Sequence, residues 1–273
     1  MSIVKASVII STYNQPKWLQ KVLWGYEFQT QNDFEIIIAD DGSSIETEKI
    51  IKQFSRISKM KIIHVWQEDE GFQKTKILNK AILKTSAEYL IFTDGDCIPR
   101  KDFVETHLKL RKENFFLSGG YFKLDLPISQ KISKNEIKNQ NCFDLDWLLS
   151  LGIKKTFKTN KLTALGFKAC MLNTFTPTKA TFDGMNVSGW KQPILDVNGF
   201  DERMQYGGED REIGERLVNL GIKFKQIRYS AICLHLYHQR PYKDEKSLIF
   251  NNRIRKETKK NKIKKTNFGI VKD

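Results

Sequence analysis

Tyr89-Leu90-Ile91-Phe92-Thr93-Asp94-Gly95-Asp96 is an apolar run of strand character that ends in two carboxylates one residue apart. Side chains alternate along an extended chain, so positions i and i+2 share a face. Asp94 and Asp96 therefore point to one spot just past the end of a buried strand. Two hard oxygen ligands at one point suit Mg²⁺ or Mn²⁺, and such ions usually hold phosphates. Turns are also rich in Asp and Gly, so the weight of this motif depends on its surroundings.

Those surroundings repeat one pattern. Ala6 to Ser11 reads as a buried strand, and Pro16 then opens a helical pattern with Leu19, Val22, Leu23 and Tyr26 on one face. Phe34 to Ala39 is a second strand, followed by Asp40-Asp41-Gly42-Ser43-Ser44; Ser43 and Glu46 have the spacing of a capping box for the next helix. Lys61 to Trp66 is a third strand, and Ile77, Leu78, Ala81 and Ile82 mark a third helix. Continuous apolar strands alternating with helices predict an α/β fold, a mostly parallel sheet covered on both faces. Ligands collect at the carboxyl ends of such strands. Three polar loops fall there: Ser11-Thr12-Tyr13-Asn14, Asp40-Asp41-Gly42 and Asp94-Gly95-Asp96.

The middle of the chain is less regular. Phe115 to Phe122 reads as one further strand with a Gly-Gly break, and residues 126–161 as a polar helical insertion or a loop. The second half carries Gly199-Phe200-Asp201-Glu202-Arg203-Met204-Gln205-Tyr206-Gly207-Gly208-Glu209-Asp210. Ile213, Leu217 and Leu220 then recur helically and Gly221 marks a stop. Glu209 and Asp210 thus fall in a first helical turn, where backbone N–H groups favour ionised carboxylates. Helix-terminus compensation accounts for many such pairs. The preceding Gly207-Gly208 additionally lets another molecule approach the backbone. Further on, His235 lies inside an apolar run and reads as a core residue, whereas His238 lies in a polar turn, placed to complete a metal site begun by Asp96.

Bulk properties set the limits. With 273 residues, 40% hydrophobic and 11% aromatic, the chain can bury a full core. Cys97, Cys142, Cys170 and Cys233 lack CxxC spacing, which argues against a zinc ribbon and fits a reducing compartment. No signal peptide or membrane-spanning run is legible, so a cytoplasmic location is expected, with room for a peripheral position at the inner face of the cell membrane. The net charge is +14, and residues 251–273 hold nine basic and two acidic side chains, half of the excess. This stretch reads as a basic C-terminal tail able to touch an anionic membrane surface. Neither a GxGxxG after the first strand nor a Walker A pattern is present, which argues against dinucleotide dehydrogenases and P-loop enzymes. A sugar-phosphate nucleotidyltransferase would need a Gly-rich loop where Ser11-Thr12-Tyr13-Asn14-Gln15-Pro16 stands. A basic nucleic-acid-binding protein is opposed by the clustered acids at the sheet edge, so no nucleic-acid partner is expected.

Taken in order, these motifs resemble glycosyltransferase family 2 with the GT-A fold, over most of residues 5–242. The N-terminal marks are Val8 to Asn14, Ile38 to Ser43 and Asp94-Gly95-Asp96. The stretch from Gly184-Met185-Asn186-Val187-Ser188 to Asp210 resembles the part shared by β-1,4-galactosyltransferases and bacterial chondroitin polymerases. Tyr237-His238-Gln239-Arg240-Pro241 resembles the polymerases' metal-histidine segment. The resemblance implies one transferase domain over residues 1–250, with a nucleotide-binding half to about 100 and an acceptor-binding half beyond.

It also implies roles. Ser11, Tyr13 and Asp41 would line a uridine pocket. Asp94, Gly95 and Gly208 would face the nucleotide sugar. Asp96 and His238 would hold Mn²⁺ or Mg²⁺, with His235 the lesser choice. Asp210 would be the catalytic base, Glu209 would hold the acceptor sugar, and Asn186 and Trp190 would shape its site. The family's Gly-Phe-Arg is Gly71-Phe72-Gln73 here, so the positive charge falls to Lys74 or Lys76, of which Lys76 is assigned to the donor. The implied reaction moves a hexose or N-acetylhexosamine from a UDP-sugar to a glycan or lipid-linked saccharide, with inversion, in bacterial surface polysaccharide synthesis.

Overall fold

The computed structural model describes residues 4–239 and 244–272. Arg240 and Pro241, the end of the histidine segment, lie outside the described residues. Three parallel strands, β1 (Ala6–Thr12), β2 (Phe34–Asp40) and β4 (Tyr89–Asp94), form the centre of the main sheet, with β3 (Ile62–Trp66) at one edge. Every residue of β1 and β2 is buried, because helices cover both faces. The connecting helices are α1 (Pro16–Glu27), α2 (Ile45–Ile57) and α3 (Lys74–Lys84).

Beyond β4 the chain runs through β5 (Cys97–Pro99), α4 (Phe103–Leu110), β6 (Phe115–Ser118) and β7 (Gly120–Lys123). Then come α5 (Leu126–Lys131), α6 (Lys134–Lys138), α7 (Leu145–Ser150), α8 (Asn160–Thr163) and α9 (Gly166–Phe175). The last elements are β8 (Asn186–Trp190), α10 (Lys191–Asp196), α11 (Glu209–Leu220), β9 (Lys223–Gln226), β10 (Ile232–His235) and α12 (Glu245–Lys260). The seven-stranded sheet has the order β3-β2-β1-β4-β8-β6-β9, and β8 runs antiparallel to both of its neighbours. A small sheet of order β5-β10-β7 stands beside it. This is the mixed α/β GT-A architecture.

Register explains why one edge becomes a site. Ser11 lies beside Ala39 and Asp94, and Thr12 beside Asp40, so the three polar loops leave the sheet at one level. Because β8 is antiparallel, its beginning joins that edge: Asn186 lies opposite Thr93. Two apolar layers sandwich the sheet. One contains Val8, Ile10, Leu19, Leu23 and Tyr26; the other contains Ile9, Ile37, Phe92, Phe182 and Phe200. Alternate residues of β1 thus serve opposite layers, as the period of two requires.

Three local expectations change. Phe115 to Phe122 is not one strand: β6 joins the large sheet and β7 the small one, with the break at Gly119. Ser43 does not cap α2; Ser44 holds the N-cap position without a side-chain bond, while Ser43 Oγ accepts from the Asn14 N–H at 2.9 Å. Residues 251–272 are not a free tail. The expected limit at 250 falls inside α12, which packs on α11 with Asn251, Ile254 and Thr258 buried. Asn251 Nδ2 donates to the carbonyls of Gln205 and Gly207, and Asn198 Nδ2 donates to those of Thr266 and Val271. Unpaired backbone carbonyls in the 197–207 loop attract this segment, whatever its surplus of lysine.

Candidate active site

A cleft of about 680 Å³ opens along the carboxyl edge of the main sheet. One wall comes from the strand ends: Ser11, Tyr13, Asp41, Asp94, Gly95 and Asp96, joined by His235 and His238. Asp183, Gly184, Gly207, Gly208, Glu209 and Asp210 complete the lining. Residues far apart in the chain, Asp96, His238 and Asp210, therefore share one cavity.

At its floor Asp94 Oδ1 accepts from both Ser11 Oγ and Lys74 Nζ, each at 2.6 Å. Burial alone would raise the Asp94 carboxyl; the Lys74 ammonium and the Ser11 hydroxyl outweigh it and hold Asp94 below the usual carboxylate range. Burial likewise works against the charge on Lys74, but Asp94, Glu209 and Asp210 around it raise its pKa instead. Lys74 is thus the cationic centre of this site. Lys76, the assigned residue, does not line the cleft and pairs with Glu70 at 3.3 Å on the surface. Two residues along a helix turn a side chain about 200° away, which is why only one of the two lysines faces inward.

Asp41 is buried between two donors. Its oxygens accept from the Gln67 side chain at 2.6 Å and the Gln73 N–H at 2.9 Å. Burial nonetheless pushes its carboxyl up to about 6, against those two donors. Tyr13 is half exposed and donates to Asp69 Oδ2 at 2.7 Å.

Asp96 leads to the histidines. His238 Nε2 lies 3.2 Å from Asp96 Oδ2. Among the described residues, Asp96, Cys97 and His235 form a group whose ligand atoms all lie within 4.8 Å of one another. The His235 and His238 rings stack with centroids 5.3 Å apart. The backbone carbonyl of Leu236 takes the Nδ1–H of His235, and that of Gln239 the Nδ1–H of His238. Each bond fixes the tautomer that leaves a lone pair on Nε2. Burial holds the Cys97 thiol protonated, so it is the weakest donor of the set. A carboxylate beside two imidazoles fits a divalent ion such as Mn²⁺ or Mg²⁺. His235, read from sequence as a core residue, belongs to this group, and His238 stands beside it against Asp96.

The remainder of the lining depends on two glycines. Gly207 and Gly208 have φ of 108° and 91°, left-handed values that let the chain turn sharply into α11. The Gly207 N–H then donates to Glu209 Oε2 at 2.9 Å. Asp210 accepts from the Gly184 N–H at 3.2 Å and from the Arg211 N–H at 2.7 Å. Burial first, and the Asp210 charge second, push Glu209 up to about 7. The same two causes push Asp183 up to about 6, against the nearby Arg211. Asp183 also lines an adjoining cavity of about 450 Å³ with Lys123, Arg211 and Arg255. No motif in the sequence singled out Asp183; its only signal is the position just before β8.

A carboxyl whose pKa is higher in the folded chain costs stability once the unfolded form ionises. For Glu209 that cost begins near pH 4.5 and is complete above about 7. Glu209→Gln should therefore raise the melting temperature at pH 8, by about 1–3 kcal/mol of stability, and progressively less down to pH 4. Calorimetric scans across that range check this; an equal effect at pH 4 and pH 8 would refute it.

Two residues expected at the acceptor site lie elsewhere. Asn186 is buried and outside the cleft: its Nδ2 donates to the carbonyls of Gly120 and Ala231, and its Oδ1 takes the Nε2–H of His107 at 2.9 Å. Burial pushes the His107 pKa down to about 4, so it is neutral and its Nδ1 accepts from Ser188 Oγ. Ser188 accepts in turn from Tyr89 at 2.7 Å. Asn186 thus ends a buried chain that ties β8 to β4 and β10. Trp190 lies opposite Tyr89, at the far end of β8 from the cleft. It packs edge-on against that ring and donates to the Lys112 carbonyl.

The comparisons with known proteins agree with this geometry. The family model described as Glycosyl transferase family 2 matches residues 7–165, and that described as N-terminal domain of galactosyltransferase matches residues 171–239. The chain is 29% identical over 257 residues to the chondroitin synthase of Escherichia coli, covering 86% of this chain and 34% of that protein. It is 27% identical over 260 residues to the hyaluronan synthase of Pasteurella multocida, covering 87% and 25%. The chain therefore spans about a third of the one relative's length and a quarter of the other's. Among solved structures, the mannosyltransferase PcManGT from Pyrobaculum calidifontis, in complex with GDP-Man and Mn²⁺, aligns with a TM-score of 0.58 at 16% identity, over 87% of this chain and 58% of that one. S. aureus TarS 1-349, in complex with UDP-GlcNAc, aligns with the same score and identity over 87% and 60%. With a strand-end cleft of this composition, and with the first family model taking in more than half of its residues, the chain belongs to glycosyltransferase family 2.

Proposed function

We propose that the chain transfers a hexose or N-acetylhexosamine from a UDP-sugar to a hydroxyl of a glycan or lipid-linked saccharide, with a divalent ion and with inversion, in bacterial surface polysaccharide synthesis. The observation that carries this is that two carboxylate sets line one cleft: Asp94 and Asp96 with two histidines, and Glu209 with Asp210. Chondroitin and hyaluronan synthases among the relatives support a polysaccharide product.

The roles follow from position. Ser11, Tyr13 and Asp41 lie at the end suited to the nucleoside, and the Asp41 carboxylate would accept from a base N–H. Asp96, His238 and His235 would hold the ion, which when bound neutralises a diphosphate leaving group as a Lewis acid. Lys74 keeps Asp94 ionised beside the ribose and diphosphate. Asp210, held by two backbone N–H groups, would take the acceptor hydroxyl's proton. Glu209 beside it would orient the acceptor sugar by a hydrogen bond. One base and one displacement invert the anomeric centre.

Release of UDP from a panel of UDP-sugars, with and without Mn²⁺, tests the proposal. Metal-dependent release from one donor, increased by an oligosaccharide acceptor, is the expected result; release from none would overturn it. In the same assay set, Asp96→Ala should weaken Mn²⁺-dependent UDP binding by about 10²-fold or more. Calorimetry unchanged from the parent protein would remove Asp96 from the ion site.

A further inference from the structure

We infer that residues 147–182 carry a surface that docks on an anionic lipid bilayer. Phe167, Met171 and Phe175 follow one another at i, i+4 and i+8 along α9, and so form one stripe. They are 84%, 43% and 80% exposed, and Phe157 and Leu165 just before the helix are 68% and 65% exposed. The opposite face of α9 holds it to the protein. Ala169 and Leu172 pack against Ala164 and Tyr229, and Asn173 bonds the Tyr229 N–H and the Ser230 hydroxyl. The helix is thus anchored by small and polar residues and turns its bulky apolar ones outward, the reverse of a water-facing helix.

Charge selects the occupant. Residues 147–182 contain six lysines and neither Asp nor Glu, in a chain with 32 acidic residues among 273. Lys154, Lys155, Lys158 and Lys168 are exposed among the aromatic side chains. Cations interleaved with outward Phe and Leu match a bilayer interface, where rings enter the acyl boundary and ammonium groups meet anionic headgroups. The basic C-terminal segment fits less well, because four of its nine cations are engaged internally: Arg255 and Lys259 pair with Glu215, Arg253 with Glu257 and Lys272 with Glu202. Residues 147–182 also reach the second cavity through α8, where Lys161 Nζ donates to the carbonyl of Tyr121, which lines it. Docking would bring lipid-linked acceptors to the Asp210 side of the cleft. That consequence rests on the proposed function; the docking itself does not.

Cosedimentation of the intact protein with phosphatidylcholine vesicles, with and without phosphatidylglycerol and without any donor, tests the docking alone. Binding should require phosphatidylglycerol. Phe167→Ser with Phe175→Ser, and separately Lys154→Gln, Lys155→Gln, Lys158→Gln and Lys168→Gln together, should each lower it about tenfold or more. Lys256→Gln, Lys260→Gln, Lys264→Gln and Lys265→Gln together should leave it within about twofold. Cys170 on α9 is exposed while Cys97, Cys142 and Cys233 are buried, so a polarity-sensitive fluorophore at Cys170 reports the same event in the parent sequence. Its emission should shift to the blue on anionic vesicles. The inference is overturned by absent binding, by binding undiminished in both variant sets, by an unshifted label, or by a parent dimer that Phe167→Ser with Phe175→Ser dissociates.

Discussion

Asp210→Asn should lower turnover by about 10²–10⁴-fold while UDP-sugar binding stays close to that of the parent protein. The amide keeps the shape of the side chain and can still accept from one of the Gly184 and Arg211 N–H groups, which bond different oxygens of Asp210, but it cannot take a proton from a hydroxyl. Removing the charge also relieves Asp183 and Glu209, whose pKa values the Asp210 charge helps to raise. Both should then ionise at lower pH, so the residual activity should show a pH profile displaced to the acid side. Turnover and donor affinity, measured separately by single-turnover kinetics and calorimetry, decide the matter. Loss of donor binding with normal turnover of bound donor would move the base elsewhere.

The second large effect is on stability. Arg216 is fully buried, and its Nε and Nη2 donate to Glu212, while Nη2 and Nη1 reach the carbonyls of Gly199 and Val197. Glu212 also accepts from Thr258 of α12 at 2.9 Å. This pair therefore joins α11, the loop before it and α12. Glu212→Ala would leave a guanidinium in the core without its counter-charge, at a cost of about 3–5 kcal/mol. For a chain of this size that lowers the melting temperature by roughly 10 °C. Replacing both partners, Glu212→Leu with Arg216→Met, should cost much less, because no uncompensated charge remains. Denaturant titrations of the single and double variants measure the coupling. Additive losses would show that the two groups do not act as a pair.

Chain order alone revealed the parallel core. Strands buried on both faces must be largely apolar, and β1, β2 and β4 are, so their endings and the helices between them were readable. The cleft's carboxylates were readable for a related reason: polar residues directly after such strands have few other places to go. Gly207-Gly208 before the acidic pair was equally informative, since both glycines adopt left-handed values that other residues avoid.

Tertiary structure decided the rest. Asn186 and Trp190 lie four residues apart on one strand, and only the antiparallel course of β8 sends them to opposite ends of the sheet. Lys74 faces the cleft and Lys76 does not because of helix phase, which a loop of unknown length before α3 concealed. His235 carries an apolar pattern and still reaches Asp96, because β10 pairs antiparallel with β5 and sets His235 beside Cys97. The basic C-terminal segment reads as solvated from its lysines, yet α11 and the loop before it offer buried carbonyls and Glu212 that only a folded partner can present. Local sequence determines which residues must leave water and with what period. Which distant groups then meet is set by strand direction, register and helix phase, properties of the assembled sheet that no single segment contains.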